Sequence, residues 1–284
     1  MTINEAFYRL KQDLQPIYDA QEAAAIAHEV LFSVTGMERM ERLTKKDLLL
    51  TNEQQSRFDG YLIALQTGAP MQYVLGEAWF MGRAFYVNPS VLIPRPETEE
   101  LVDWIIKEQR NEQKAISMLD IGTGSGCIPI SLQLALPNAN VSSMDVSPEA
   151  LTVARHNADV LQANVRFYEN NFLDTATWTN FPAYDIIVSN PPYIPESDKE
   201  SMHSNVKDHE PSLALFVPND DALVFYRNIA DFGRLHLQQG GCVYCELHLE
   251  YAQATQKLFE EKSYKNVEIR KDMHGNWRML KAKI

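Results

Sequence analysis

The tetrapeptide Asn190-Pro191-Pro192-Tyr193 follows an apolar run, Asp185-Ile186-Ile187-Val188-Ser189, that reads as a strand. A polar turn closing a strand would by itself account for an Asn-Pro pair. The same residues also offer two hydrogen-bond acceptors, the Asn190 side-chain oxygen and the Pro191 carbonyl. Pro191 and Pro192 hold that backbone in place through their fixed φ. Two acceptors set below a planar NH2 group orient it and draw it toward pyramidal geometry. They also stabilise the positive charge that develops when its nitrogen attacks an electrophilic carbon. Tyr193 is expected to pack against the flat face of such an acceptor. The chemistry that suits Asn190, Pro191 and Tyr193 is therefore in-line methyl transfer from a sulfonium to a planar nitrogen.

A second loop would supply the sulfonium. Leu119-Asp120-Ile121-Gly122-Thr123-Gly124-Ser125-Gly126 runs strand, glycine-rich turn, helix. Glycines let a backbone approach a ligand closely, and the helix that follows offers free N–H groups. About twenty residues on, a second strand ends in Asp145, placed to accept hydrogen bonds from ribose hydroxyls. A dinucleotide loop needs G-x-G-x-x-G, and Cys127 occupies the third glycine position. The G-x-G-x-G spacing suits an adenosyl cofactor better than a pyrophosphate, which disfavours a nicotinamide dehydrogenase. Asn170 or Asn171 is placed to hydrogen-bond the adenine, and Phe172 to pack on its face.

Other chemistry-bearing residues form no such set. Cys242 and Cys245 make a CxxC, but on the buried strand that Gly241–Leu247 predicts, positions i and i+3 point to opposite faces. Three cysteines, an odd number, argue against a disulfide framework. Seven histidines are scattered without ligand spacing, so no metal is expected.

These loops must be held by a scaffold, and the chain alternates accordingly. Strands are predicted at Met118–Ile121, Val141–Val146, Val165–Tyr168, Tyr184–Ser189, Cys242–Leu247 and Val267–Arg270. Helices are predicted at 126–136, 148–162, 221–238 and 249–262. The alternation implies an α/β fold with parallel βαβ units in a doubly wound, Rossmann-like sheet, whose ligands bind at the carboxyl ends of strands. Residues 97–284 are assigned to this domain. Residues 1–75 read as a small helical bundle: Ala6, Leu10, Leu14 and Ile17 recur at helical spacing, as do Ala23, Ile26, Ala27, Val30 and Leu31. Gly36 reads as a helix stop, Thr44–Asp47 resembles a capping box, and Thr51 or Asn52 is placed to cap the next helix. Between the two, residues 76–96 read as a β-hairpin linker stiffened by Pro94 and Pro96. Glu97, Glu99 and Glu100 then load a helix's first turn.

The net charge of −12 disfavours a nucleic-acid partner and suits a basic protein partner better. No apolar run is long enough to span a bilayer, and the N-terminal stretch does not read as a signal peptide. A cytoplasmic monomer without direct nucleic-acid or membrane contact is expected.

With both loops in place, the chain resembles the HemK/PrmC family of protein-(glutamine-N5) methyltransferases. These methylate the glutamine of the Gly-Gly-Gln motif in class-I peptide chain release factors. Further segments carry the resemblance along nearly the whole chain: Gln72–Gly76, Leu92-Ile93-Pro94-Arg95-Pro96-Glu97-Thr98-Glu99, His209–Leu215 and Asp272–Arg278. Asn-Pro-Pro-Tyr is shared with DNA adenine, RNA guanine and ribosomal-protein methyltransferases, so the substrate rests on the other segments.

The resemblance implies S-adenosyl-L-methionine as cofactor, with S-adenosyl-L-homocysteine as product. Gly122, Thr123, Gly124, Ser125 and Gly126 would hold its methionine part and Asp145 its ribose, with Asn171 and Phe172 beside the adenine. Members often have tryptophan at the position of Phe172. Asn190, Pro191, Pro192 and Tyr193 would hold the glutamine amide, with Asn190 touching the cofactor as well. Residues 1–75 would help grip the release factor. The competing readings are a methyltransferase for a glutamine in another protein, such as a ribosomal protein, one for a nucleobase amine, and a non-catalytic scaffold. Arg95 is open between an ion pair with Glu97 and a substrate contact, and Glu210 between capping a loop and lining the groove.

Overall fold

The computed structural model describes Met1–Arg110, Lys114–Met202 and Ser204–Ile284. The chain forms two compact units. The smaller comprises Met1–Glu77 with a short second segment ending at His209, and the larger comprises Ala78–Met202 and Glu210–Ile284.

In the smaller unit the helices are α1 (Ile3–Leu14), α2 (Ala20–Thr35), α3 (Arg39–Thr44), α4 (Asn52–Gln66) and α5 (Met71–Leu75). Ala6, Leu10 and Leu14 of α1 pack with Ala23, Ile26, Ala27, Val30 and Leu31 of α2 and with Phe58, Leu62 and Leu65 of α4. The expected stripe fails at Ile17, which lies beyond the end of α1 and is exposed. Capping boxes start α1 (Thr2 with Glu5) and α4 (Thr51 with Gln54). Gly36 ends α2 in the left-handed conformation, at φ +67°. Thr44 does not start a helix as the sequence suggested. It closes α3, its hydroxyl donating to the Glu41 carbonyl at 2.8 Å, because Thr51 supplies the better cap for the next helix.

The larger unit opens with a hairpin, β1 (Glu77–Phe80) and β2 (Arg83–Tyr86); Val87–Arg95 then runs without regular structure to α6 (Pro96–Gln109). The alternating part follows: β3 (Ser117–Ile121), α7 (Cys127–Ala135), β4 (Asn140–Asp145), α8 (Pro148–Leu161), β5 (Val165–Glu169) and β6 (Tyr184–Ser189). After the short element β7 (Ile194–Pro195), the helix α9 (Ser204–Lys207), which belongs to the smaller unit, and the short elements α10 (Ser212–Leu215) and β8 (Phe216–Val217) come α11 (Val224–His236), β9 (Leu237–Glu246), α12 (Ala252–Glu261), β10 (Lys265–Lys271) and β11 (Trp277–Lys283).

Seven strands join in the order β10-β11-β9-β6-β3-β4-β5. Their side chains alternate between two cores, as the period of two demands. Leu119, Ile121, Ile187, Val243 and Cys245 face a core with α11 and α12. Met118, Val141, Ile186, Val188 and Tyr244 face one with α6, α7 and Ala158 of α8. Cys242 and Cys245 fall to opposite cores accordingly.

The sheet is not parallel throughout. β11 is inserted antiparallel to both β9 and β10. Periodicity alone did not mark it as a strand, because Met279 and Leu280 are buried in succession, one on each face of an interior strand. β9 begins at Leu237, inside a stretch expected to be helical to residue 238. No helix among the described residues is long and apolar enough to cross a membrane.

Candidate functional site

The interior strand β3 pairs in parallel with β4 on one side and β6 on the other. The chain winds outward from β3 in one direction and then returns to the other, so the crevice lies beyond the carboxyl ends of β3 and β6. The glycine loop leaves β3 there and the Asn-Pro-Pro-Tyr turn leaves β6. The two loops come close: a Cβ built on Gly122 would stand 3.9 Å from the Asn190 carbonyl oxygen. Both border one cavity of about 380 Å³, within the range of sites that enclose small molecules. Of the residues singled out in the sequence, Gly122–Ser125, Asp145, Asn170–Phe172 and Asn190–Pro192 line it.

Gly126 and Tyr193 stand behind this lining. Gly126 caps α7 at φ +82°, and a Cβ there would meet Ile130 Cδ1 at 2.8 Å and Ala154 Cβ at 3.2 Å. Its bareness lets α7 and α8 close on each other. Asn157 of α8 ties the loop from the other side. Its Nδ2 donates to the Ser125 carbonyl and to the Tyr86 carbonyl, both at 2.9 Å, and its Oδ1 accepts from Tyr86 N at 2.8 Å.

Asp145 is already oriented. Its Oδ2 accepts from Gly124 N and its Oδ1 from Ser147 N, each at 2.9 Å. Each carboxylate oxygen keeps a further lone pair for a ligand. Burial raises the Asp145 pKa, opposed by those backbone donors. Asp120, one strand inward, is fully buried. Ser143 donates to its Oδ2 at 2.6 Å while its Oδ1 has no partner. Burial pushes its pKa up to about 8, so near pH 7 it is largely neutral. Burial likewise pushes the Cys127 thiol up to about 12, which makes it inert as a nucleophile.

Beyond Asp145, Asn171 Oδ1 accepts from Leu173 N at 3.1 Å, and Asn170 N donates to the Asp145 carbonyl at 2.9 Å. The Phe172 ring is stacked on Trp178 at 5.5 Å and 23° inside the core, so little of it is left to face the cavity. Val146 and Leu173 also line the cavity and are substantially exposed, which makes them apolar surfaces available to a flat ligand. Sequence reading passed over both; an apolar residue directly after the strand-ending Asp145 was the available signal.

The acceptor turn rests on two residues that sequence reading also passed over. Asn190 Nδ2 donates to Thr98 Oγ1 at 3.1 Å, and Thr98 Oγ1 donates to Glu246 Oε2 at 2.5 Å. The other oxygen of Glu246 accepts from the Tyr193 hydroxyl at 3.1 Å. Thr98 and Glu246 are each 2 % exposed. Burial raises the Glu246 pKa, and its two hydroxyl donors and the Arg278 guanidinium oppose that only in part. Burial and the neighbouring Glu246 charge push the Tyr193 phenol up, so it remains a donor. A buried acid closing an apolar strand, Cys242–Glu246, was the sign in the sequence.

The segment Pro94–Glu100 is a hub. Arg95 pairs not with Glu97 but with the buried Glu210, at 2.5 Å, and Glu210 also accepts from Ile93 N at 3.3 Å. Glu97 adjoins Arg95 in sequence, but Glu210 is buried and among the described residues pairs with no cation other than Arg95. Glu99 accepts from Met81 N in the hairpin and Glu100 from Met273 N in the turn before β11. One short stretch thus ties the hairpin, the acceptor turn, the β9 end and the last turn together.

The comparisons with known proteins agree with this arrangement. A family model described as the PrmC N-terminal domain matches residues 5–76, and one described as the methyltransferase small domain matches residues 101–208. The chain is 43% identical to the release factor glutamine methyltransferase of Flavobacterium psychrophilum, over 95% of each chain. It is 44% identical to that of Bacteroides thetaiotaomicron, over 96% of this chain and 97% of the relative. A methyltransferase structure from Pyrococcus furiosus shares the fold, with a TM-score of 0.51 at 18% identity, covering 82% of this chain and 98% of that one. The chain belongs to the release factor glutamine methyltransferase family.

Proposed function

We propose that this protein transfers a methyl group from S-adenosyl-L-methionine to the side-chain amide nitrogen of the glutamine in the Gly-Gly-Gln motif of class-I peptide chain release factors. The observation that carries the reading is the meeting of the glycine loop and the Asn190–Tyr193 turn at one cavity, where Gly122 and the Asn190 carbonyl are in near contact. The cavity fits an adenosyl cofactor. Its volume suffices, Gly122 and Gly124 keep the floor free of side chains, and Asp145 presents a preoriented carboxylate. Gly122–Ser125 would hold the methionine part, Asp145 the ribose, and Asn171 with Val146 and Leu173 the adenine. Gly126 serves by letting α7 approach α8.

When bound, the cofactor supplies an electrophilic methyl. The protein's own part is orientation. Asn190 Oδ1 and the Pro191 carbonyl receive the two hydrogens of the acceptor NH2, Pro192 bounds its plane, and Tyr193 holds the turn from behind through Glu246. No strong base is needed, because the amide proton becomes acidic only as the new N–C bond forms. The smaller helical unit, matched by the PrmC N-terminal domain, is assigned to gripping the release factor.

The test is purified enzyme with labelled cofactor and three substrates: intact release factor, its Gln→Glu variant in the Gly-Gly-Gln motif, and DNA. Label on the intact factor alone is expected. Label in DNA, or equal label in the variant factor, overturns the proposal.

A further inference from the structure

We infer that Thr98 and Glu246 fix which way round the Asn190 amide lies, and thereby make the acceptor site select an NH2 group over a carboxylate oxygen. The inference rests on the glutamine-amide reading above.

An asparagine amide is nearly symmetric in shape, so packing alone does not choose between its oxygen and its nitrogen. Only hydrogen-bond partners do. Thr98 Oγ1 is that partner, 3.1 Å from Asn190 Nδ2. A hydroxyl is ambivalent, since it can donate or accept. Here the ambivalence is removed from the far side. Thr98 Oγ1 also lies 2.5 Å from Glu246 Oε2, and a carboxylate oxygen only accepts. The single hydroxyl hydrogen therefore goes to Glu246, and Thr98 can only accept from Asn190. The NH2 of Asn190 is turned toward Thr98, and Oδ1 is the end left to the cavity that Asn190 lines.

The same carboxylate takes the Tyr193 hydroxyl on its other oxygen. One buried group thus holds both ends of the Asn-Pro-Pro-Tyr turn. A neutral Glu246 would break this logic only by carrying its proton on Oε2, toward Thr98; with the proton on Oε1, toward Tyr193, Oε2 still accepts from Thr98.

The consequence is a specificity device. An acceptor NH2 meets an oxygen and bonds to it. A carboxylate at the same place meets oxygen with oxygen and leaves Oδ1 unpaired once the cavity is filled, which is how a polar site rejects a near-isosteric analogue. With the Asn190 amide reversed, the cavity would present an NH2 and the preference would invert.

Thr98→Val keeps the branched shape and removes the hydroxyl; Thr98→Ser restores the hydroxyl without the methyl. Three quantities are read on each full-length protein: turnover at saturating release factor, affinity for S-adenosylmethionine by calorimetry, and inhibition by the factor carrying glutamate in place of the target glutamine. For Thr98→Val we expect turnover to fall about tenfold. Cofactor affinity should stay within about twofold, and the glutamate factor should bind several-fold better relative to the glutamine factor. Thr98→Ser should return all three toward wild type.

A purely structural Thr98 would not move the glutamate-to-glutamine preference, so an unchanged preference in Thr98→Val overturns the inference, as does unchanged turnover. If Thr98→Val does not fold, Thr98→Ala removes the hydroxyl without adding bulk and is read the same way. Wild type that transfers nothing to intact release factor refutes the proposed function and this inference together. Wild type that transfers while the variant keeps its preference refutes the inference alone.

Discussion

Replacing Gly126 by alanine separates the packing role of the glycine loop from its ligand role. Gly126 sits at φ +82°, where an L-residue is strained by about 1–2 kcal/mol. Its new Cβ would stand 2.8 Å from Ile130 Cδ1 and 3.3 Å from Ala154 Cα. The first contact can be relieved only by turning a fully buried isoleucine, and the second only by moving the α8 backbone. Overpacking of this kind costs about 1–3 kcal/mol. The sum is a loss of roughly 2–5 kcal/mol, read as a lower denaturation midpoint at unchanged slope.

Gly124→Ala is the internal control. At φ +52° it carries the same conformational strain, but a Cβ there meets nothing within 4 Å because it points into open space. It is expected to lose only about 1–2 kcal/mol of stability while weakening cofactor binding, since the methyl would occupy the cavity Gly124 lines. Equal stability losses for the two variants, measured side by side in denaturant, would refute the assignment of Gly126 to helix packing.

Other outcomes follow from the same geometry. Asn157→Leu removes three hydrogen bonds and strands the Ser125 carbonyl and the Tyr86 N–H; a loss of about 3 kcal/mol is expected, and a loss below about 1 kcal/mol in a denaturant melt contradicts it. Asp120 has a pKa raised to about 8 in the folded protein. Its favourable contribution is therefore complete below about pH 4, its ordinary unfolded value, and is lost as pH rises toward 8. Asp120→Asn should gain on wild type steadily across that window, and a gap that is the same at pH 5 and pH 8 would speak against a neutral buried Asp120. Asp145→Ala should weaken S-adenosylmethionine by ~1–3 kcal/mol, and equal affinities by calorimetry would remove Asp145 as the ribose ligand. Asn190→Ala should cut turnover ~100-fold at saturating substrates, and near-normal turnover would take Asn190 out of the reaction.

What the sequence made legible was local. Gly122–Gly126 and Asn190–Tyr193 are each contiguous, and each chemistry is written in adjacent residue types. The strand–helix alternation then placed both at one end of a sheet, where the structure has them. Relations across long separations were not legible. Thr98 and Glu246 are 148 positions apart, and Arg95 and Glu210 are 115 apart. Nothing near Arg95 in sequence announces a buried carboxylate waiting in a distant loop. Phe172 was placed beside the adenine from its position after the third strand of the alternation, and it lines the cavity; that its ring also stacks on Trp178 and meets Phe232 was not legible. The interior strand β11 was signalled only by the resemblance at Asp272–Arg278 and not by periodicity, because burial on both faces erases the alternation that marks a strand.

The position of β11 between β9 and β10 bears on how the chain is made. Synthesis delivers β9 first, then α12 and β10, and only afterward the strand that separates them. Until β11 emerges, β9 has β6 on one side and an open edge on the other, carrying the buried run Val243-Tyr244-Cys245. An unpaired apolar edge of this kind templates association with other chains. A nascent or partly folded molecule is then most vulnerable at the strand that ends in Glu246, and closing that edge is the same event that seats the Glu246 backbone beside Met279. One strand pairing, β9 with β11, thus both covers the apolar edge and backs the strand that carries Glu246 to the acceptor turn.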